Sequence, residues 1–292
     1  MIYLITISIY LFTLIGLGVY KSWKIKTQSD FSVAGRSLTP WVLVGTMLAT
    51  WIGTGSILGN AGKAYQTGLA ALMLPMGGVF GIIILTQIAG KVRAFEKFTV
   101  PEIIGDRYGS KARILSVIAL VIAYMVIVSY QFNAGGAVLK TVLQDGHGNP
   151  LITVQTGTII AAIFIIAYTM LAGLVSVAYT DVANGIIMTL ALAIAFPIFW
   201  LKAGGWSGME YSFGQMEKPE HMQFWGVYSG MDILNFCLPP FLLVLGDANM
   251  YQRFFASKDA KGAKKATTVL VVVIAIIEIL IIASAWVSSG LI

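Results

Sequence analysis

The chain has 292 residues, of which 58% are hydrophobic and 11% charged, and its mean hydropathy is +0.84. Those values exclude an ordinary soluble domain and identify an integral membrane protein. The formal charge of +6 would suit a nucleic-acid partner only if the 19 Lys and Arg were clustered on one surface, and the single cysteine, Cys237, excludes a disulfide within the chain and a thiolate metal cluster.

Eight apolar stretches follow one another, at roughly 2–20, 41–66, 70–90, 114–139, 151–172, 182–201, 228–252 and 268–290. Each is long enough to cross a hydrocarbon core of about 30 Å as a helix, and the alternating pattern of barrel strands is absent. The loop after the first stretch carries Lys21, Lys24, Lys26 and Arg36. The loop after the third carries Lys91, Arg93, Lys97, Arg107, Lys111 and Arg113, and the one after the seventh carries Arg253, Lys258, Lys261, Lys264 and Lys265. The opposite side holds only Lys63, Lys140, Lys202 and Lys218, so the basic loops mark the cytoplasmic face, with lipid and not nucleic acid as their surroundings. The N-terminus is then expected outside, and the first stretch is no cleaved signal, having no charged segment before it and no small-residue cleavage site after it.

The second stretch is interrupted by Ala49-Thr50-Trp51-Ile52-Gly53-Thr54-Gly55-Ser56. In a bilayer an interrupted helix is tolerated only where its freed backbone groups line a cavity or hold an ion or solute. Leu238-Pro239-Pro240 through Gly246-Asp247 predicts a second interruption five spans later, the spacing of an inverted-repeat transporter. One transmembrane domain over 1–292 is expected: a leading helix and cytoplasmic loop at 1–39, a first five-helix repeat at 40–203, and an outer loop with the start of a second repeat at 204–292. A five-plus-five architecture would need three more helices, so the chain is expected to be a fragment, the other possibility being that it works with a second polypeptide.

Four motifs in register carry a resemblance. They are Ser29-Asp30-Phe31-Ser32-Val33-Ala34-Gly35-Arg36-Ser37-Leu38, Thr99-Val100-Pro101-Glu102 with Arg107-Tyr108-Gly109, Ala172-Gly173-Leu174 with Thr180-Asp181, and Gly246 followed by Tyr251-Gln252-Arg253-Phe254. Together they resemble the sodium:solute symporter family. The resemblance implies an all-α polytopic membrane protein with the LeuT-like inverted-repeat fold, a leading extra helix and an incomplete second repeat. It implies sodium-coupled import of a small organic solute, with no cofactor beyond Na+ as the coupling ion.

By the family's glycine spacing after the break (Gly59, Gly62, Gly68), Ala49 and Ile52 match the two positions whose backbone carbonyls bind sodium. The alternative is that these glycines only permit close helix packing, as is expected of Gly77 and Gly81. The family's hydroxyl ligands for this ion would fall beyond Ile292. Some relatives carry an acid where this chain has Trp51, and Ser56 matches a solute-facing position; both are candidate solute contacts. Asp181 matches a carboxylate associated with cytoplasmic sodium exit, though a helix N-terminal acid held by the helix dipole explains it equally.

Two further candidates come from the residues alone. Tyr130 and Gln131 are polar groups inside the apolar fourth stretch, suited to a solute pathway or to structural hydrogen bonding. Glu278 lies mid-span, where a carboxylate facing lipid costs on the order of 3 kcal/mol, so it must face the protein interior, where it could meet a cationic group of the solute or act as a neutral packing acid. His147 and His221 lie in outward loops without a carboxylate or cysteine cluster, which argues against a transition-metal site. Gly62-Lys63 lacks the glycine and hydroxyl of a phosphate loop, Ile57 and Ala64 standing there instead, so the energy source is expected to be an ion gradient and the protein no enzyme. A symporter-like sensory input module and a non-transporting fragment are the competing expectations.

Overall fold

A computed structural model describes residues 2–23, 25–145 and 147–291. Lys24 and Ile292, both used above, lie outside the described residues. The described chain is helical, without a strand, and falls into two compact units: Met1–Leu38 with Phe95–Thr180, and Thr39–Ala94 with Asp181–Ile292.

In the first unit α1 (Ile2–Ser22) is the leading apolar helix. It is followed by α2 (Gln28–Val33), which starts at a capping box: Asp30 N–H donates to Thr27 Oγ1 at 3.1 Å, and Thr27 N–H to Asp30 Oδ2 at 3.0 Å. These bonds, the Thr27 hydroxyl foremost, hold the Asp30 carboxyl below its ordinary value. The chain leaves α2 through left-handed Ala34, Gly35 and Arg36. The Arg36 guanidinium then donates to the Glu96 carbonyl and lies 5.6 Å from the centre of the Phe98 ring. The Ser29–Leu38 motif is thus a capped turn that delivers an arginine to the loop before the next helices of its unit.

Across α3 (Pro40–Trp51), α4 (Asn60–Thr67) and α5 (Met76–Ala94) the chain belongs to the second unit. It returns to the first at α6 (Val100–Tyr108) and α7 (Ser110–Val142), which pack together. Most of the apolar side chains of α7, Ile114, Leu115, Ile122 and Met125 among them, are exposed, the surface a helix presents to hydrocarbon. α8 (Val154–Lys202) comprises two helical parts that meet at Gly173, where φ is 53° and the backbone abuts Ile25 and Phe31. Gly136 and Gly157 bring α7 and the start of α8 into backbone contact, a Cβ at Gly157 falling 2.7 Å from the Gly136 carbonyl oxygen.

The second unit is completed by the C-terminal part of α8 with α9 (Gly205–Gln215), α10 (Gly230–Gly246), α11 (Ala248–Ala256) and α12 (Ala260–Ser289). α5 packs on both α10 and α12, and α12 also reaches α3 and α4. Gly77 and Gly81 face the α10 backbone and Val244, and Gly78 faces the Trp51 ring, leaving no room for a side chain. The core at one end joins Ala64, Ala71, Leu74, Met209, Phe213, Ile282, Trp286 and Val287.

Five helices among the described residues are long and apolar enough to cross a membrane, or six if the bent pair at the break counts as one span, with Val154–Ala167 a shorter apolar helix. The fifth and sixth stretches are two helices that meet at Gly173, whose φ of 53° and ψ of 177° are not helical. The second interruption falls at the C-terminal end of the stretch that predicts it: α10 runs through Pro239 and Pro240 to Gly246, and the chain turns at Asp247. Each proline frees one carbonyl in the preceding turn, but the helix is held there by its contact with α5, where Gly77 lets the Cys237 backbone approach closely, and by Cys237 Sγ, which meets the carbonyl of Met73, just before α5, at 3.5 Å. Asp247 caps α11 by accepting from Asn249 N–H at 2.9 Å.

Candidate ion and solute site at the broken helix

The first break is where the sequence places it. α3 ends at Trp51, the backbone opens at Ile52 (φ −79°, ψ 93°), and a π-helical turn Gly55–Gly59 leads into α4. The two halves, Pro40–Trp51 and Gly55–Met73, are bent by 56°. Ile52 N–H still donates to the Leu48 carbonyl at 2.8 Å and Ile57 N–H to the Gly53 carbonyl at 3.0 Å, both α-type bonds, whereas Asn60 N–H reaches back five residues to the Gly55 carbonyl in the wider ring of a π turn. Ala49 and Ile52 therefore flank the opening, Ala49 in the last turn of the intact half and Ile52 at its cap. A Cβ at Gly55, Gly59 or Gly62 would meet nothing within 4 Å, so within the described chain these glycines do not serve helix packing, in contrast to Gly77 and Gly81.

The break is closed by a side chain from α12. Glu278, 1% exposed, accepts Trp51 Nε1–H on Oε1 at 3.0 Å and Asn60 Nδ2–H on Oε2 at 3.0 Å. The Ser56 hydroxyl is a further hydrogen-bonding neighbour of this carboxylate and lies 3.4 Å from the Trp51 carbonyl. Three of the sequence candidates, Trp51, Ser56 and Glu278, are thus brought together. Asn60 joins them unforeseen; an amide placed one residue after a glycine-rich break was its only sequence signal.

Asp181 forms a second polar centre. Thr46 Oγ1 donates to Asp181 Oδ2 at 2.6 Å, and the same oxygen lies 3.8 Å from Arg253 Nη2. Two turns past the kink at Gly173, inside a continuous helix, Asp181 is not an N-terminal acid, so the dipole explanation lapses. Arg253, read from sequence as a loop charge, is 8% exposed and held on α11, where it also donates to the Asn249 carbonyl at 3.4 Å. Tyr130 is exposed on α7 and Gln131 half-buried beside it, both in the first unit.

His221, read as an outward-loop residue, is 2% exposed. Its Nε2 meets the Gln66 carbonyl at 3.0 Å and its own carbonyl accepts Trp286 Nε1–H at 2.9 Å, which ties the 3-10 turn Pro219–Met222 to the helices beneath it. Burial pushes the imidazole below its ordinary value. It lines a cavity of about 210 Å³ with Tyr65, Phe213, Met216, Lys218 and Ser289. Among the described residues no three His, Cys, Asp or Glu side chains converge as a metal site.

The sequence pattern of the sodium:solute symporter family matches residues 31–291. Curated relatives include the sodium/proline symporters of Staphylococcus aureus strains JH9 and NCTC 8325, each 25% identical over 274 residues that make up 90% of this chain and 51% of theirs. The chain spans about half the length of these curated relatives. Among solved structures it resembles the substrate-bound outward-open state of a Na+-coupled sialic acid symporter, with a TM-score of 0.80 at 20% identity over 99% of this chain and 60% of that one. That likeness establishes the LeuT-like fold, and the named relatives are transporters, not enzymes. With the apolar helices, the break and the matched residues in hand, this multi-pass membrane chain belongs to the sodium:solute symporter family.

Proposed function

We propose that the protein carries out sodium-coupled symport of a small organic solute across the plasma membrane by alternating access, with its N-terminus outside and no cofactor beyond the coupling ion. The observation that carries this reading is the 56° break between Pro40–Trp51 and Gly55–Met73, inside a chain of this family. An unwound helix offers a hard cation its carbonyl oxygens without burying a formal charge, and Ala49 and Ile52 stand at that opening. Sodium would bind these carbonyls, Asp181 would lie on its exit path, and Trp51, Ser56, Tyr130, Gln131 and Glu278 would meet the solute. Along the chain, 1–39 is read as a leading helix and cytoplasmic loop, 40–203 as a five-helix repeat and 204–292 as an outer loop with the start of its inverted partner.

Sodium that binds the outward state more tightly than the inward one shifts the population toward solute capture, and the gradient supplies the work. The test is uptake into proteoliposomes under an imposed sodium gradient. Labelled proline heads the panel because the curated relatives are named as sodium/proline symporters. Accumulation that collapses when the gradient is removed is the expected result; gradient-independent signals across the panel, from protein shown to be folded, overturn the reading.

A further inference from the structure

The cavity of about 210 Å³ beside His221 has no role in the symport reading, and its walls all come from the second unit. It lies where four pieces of chain meet: Tyr65 comes from α4, Phe213 and Met216 from the end of α9, Lys218 and His221 from the turn that follows, and Ser289 from the end of α12. It opens to the surface beside Tyr65, which is 51% exposed. Two polar groups on its wall lack the partner their chemistry asks for. His221 is 2% exposed, and its Nε2 lies 3.0 Å from the Gln66 carbonyl, which can only accept. The neutral ring therefore carries its proton on Nε2, and Nδ1 presents a buried lone pair that no donor meets among the described residues. The Lys218 ammonium lies 5.6 Å from the centre of the Tyr65 ring, and among the described residues no carboxylate forms an ion pair with it. Glu220, close enough to act on the imidazole, does not line the cavity.

A cation is repelled here by Lys218 and finds no carboxylate on the wall, whereas an anion is drawn to the ammonium. A buried acceptor left unmet is costly, and a ligand that brings an N–H or O–H to it recovers that cost. Phe213, whose ring centre is 5.0 Å from that of the imidazole, Met216 and the Tyr65 ring supply the apolar part of the wall. We propose that this cavity binds a small organic acid whose carboxylate meets Lys218 and whose neighbouring hydroxyl or amino group donates to His221 Nδ1. Such a ligand touches Tyr65 near the end of α4, the turn Pro219–Met222 and the ends of α9 and α12 together, so its binding fastens the second half of the broken helix to that turn. The site is separate from the Ala49 and Ile52 carbonyls and does not rest on the symport reading.

Its test is calorimetric titration of the purified protein with glycolate, glycine and acetate in sodium-free N-methyl-D-glucamine buffer, where solute binding that depends on the coupling ion is silent. Glycolate or glycine is expected to bind saturably and about tenfold or more tightly than acetate, which has no donor for Nδ1, the scale of one hydrogen bond to a buried acceptor. Lys218→Met keeps an apolar stem against Tyr65 and removes the charge, and is expected to weaken that binding by about tenfold or more. Hydrogen exchange of residues 216–224 is expected to fall when the wild type is saturated with the tighter ligand. No saturable binding of any of the three, equal affinities for acetate and for the acids that carry a donor, or binding unaltered in Lys218→Met overturns the proposal. Should Lys218→Met fail to fold, the comparison of acetate with glycolate and glycine on the wild type decides alone. Uptake under a sodium gradient is measured on the same preparations: its absence in wild type that binds glycolate or glycine removes the symport reading and leaves the cavity site standing.

Discussion

Glu278 and Trp51 stand 227 positions apart and meet through an indole N–H donated to a carboxylate oxygen at 3.0 Å. The bond fastens the end of α3 to the middle of α12, while a Cβ at Gly78 would overlap the other side of the indole. Trp51 is therefore held on two faces. Trp51→Phe keeps the ring against Gly78 and deletes only the donor, leaving a buried acceptor unmet. A loss of about 1–3 kcal/mol is expected, read as a lower melting temperature in detergent. Unchanged melting would mean that water replaces the indole at Oε1.

Thr46 and Asp181 make a comparable pair on α3 and α8, at 2.6 Å. Thr46 is fully buried and the Asp181 side chain is 17% exposed, so the carboxylate draws on Thr46 and on the more distant Arg253 for its partners. Thr46→Val preserves shape and removes the hydroxyl. The expected cost is about 1–3 kcal/mol, because the acceptor is charged and largely shielded. If Asp181 also lies on a sodium exit path, the same variant changes the rate of sodium release while the amount of sodium bound at equilibrium is little affected; 22Na+ efflux from loaded proteoliposomes separates the two.

The glycines after the break divide by environment. At Gly68 φ is 64° and a Cβ would collide with the His221 backbone, so Gly68→Ala is expected to destabilise by about 1–3 kcal/mol or more. Gly62 sits within α4 with nothing within 4 Å of a Cβ, so Gly62→Ala is expected to be neutral or to stabilise by up to about 1 kcal/mol through helix propensity. Thermal melts of the two variants side by side check the contrast. A large loss of stability in Gly62→Ala would show that helix α4 is closely packed in the folded protein after all.

What was legible in the sequence follows from how local the cause is. The break at 49–56 could be read because a bilayer penalises unpaired backbone groups, so a cluster of Gly, Thr and Ser inside an apolar run is informative by itself. The proline pair does not itself interrupt α10, because the cost of two missing N–H groups is local whereas the contact of α10 with α5 that offsets it is not. Glu278 was visible as a charge in a span, but Asn60, 218 positions away, could not be matched to it without the fold. Arg253 and His221 failed for a related reason: loops were taken as solvated, and both residues turn inward onto helices distant in the chain.

His221 gives the clearest pH dependence outside the membrane spans. Its folded pKa is depressed, chiefly by burial, below the ordinary value of 6.5, so the neutral ring is the form that folding selects. The unfolded chain then binds more protons than the folded one as the pH falls below 6.5. The stabilisation is fully present above that value and is lost progressively as acid approaches the lower folded pKa. The neutral ring donates from Nε2 to the Gln66 carbonyl, leaving Nδ1 buried without a hydrogen-bond partner, and a proton arriving at Nδ1 would be a buried charge drawn by Glu220 but repelled by Lys218. The turn Pro219–Met222 is expected to loosen first, since the imidazole is its tie to Gln66, while the bond from Trp286 to the His221 carbonyl depends on that turn staying in place. Hydrogen exchange of residues 216–224 between pH 7.5 and 5 is expected to rise in the wild type. His221→Gln, which can still donate to Gln66 but cannot titrate, is expected to show no such rise. Equal acid-induced exchange in both proteins would place the sensitive group elsewhere.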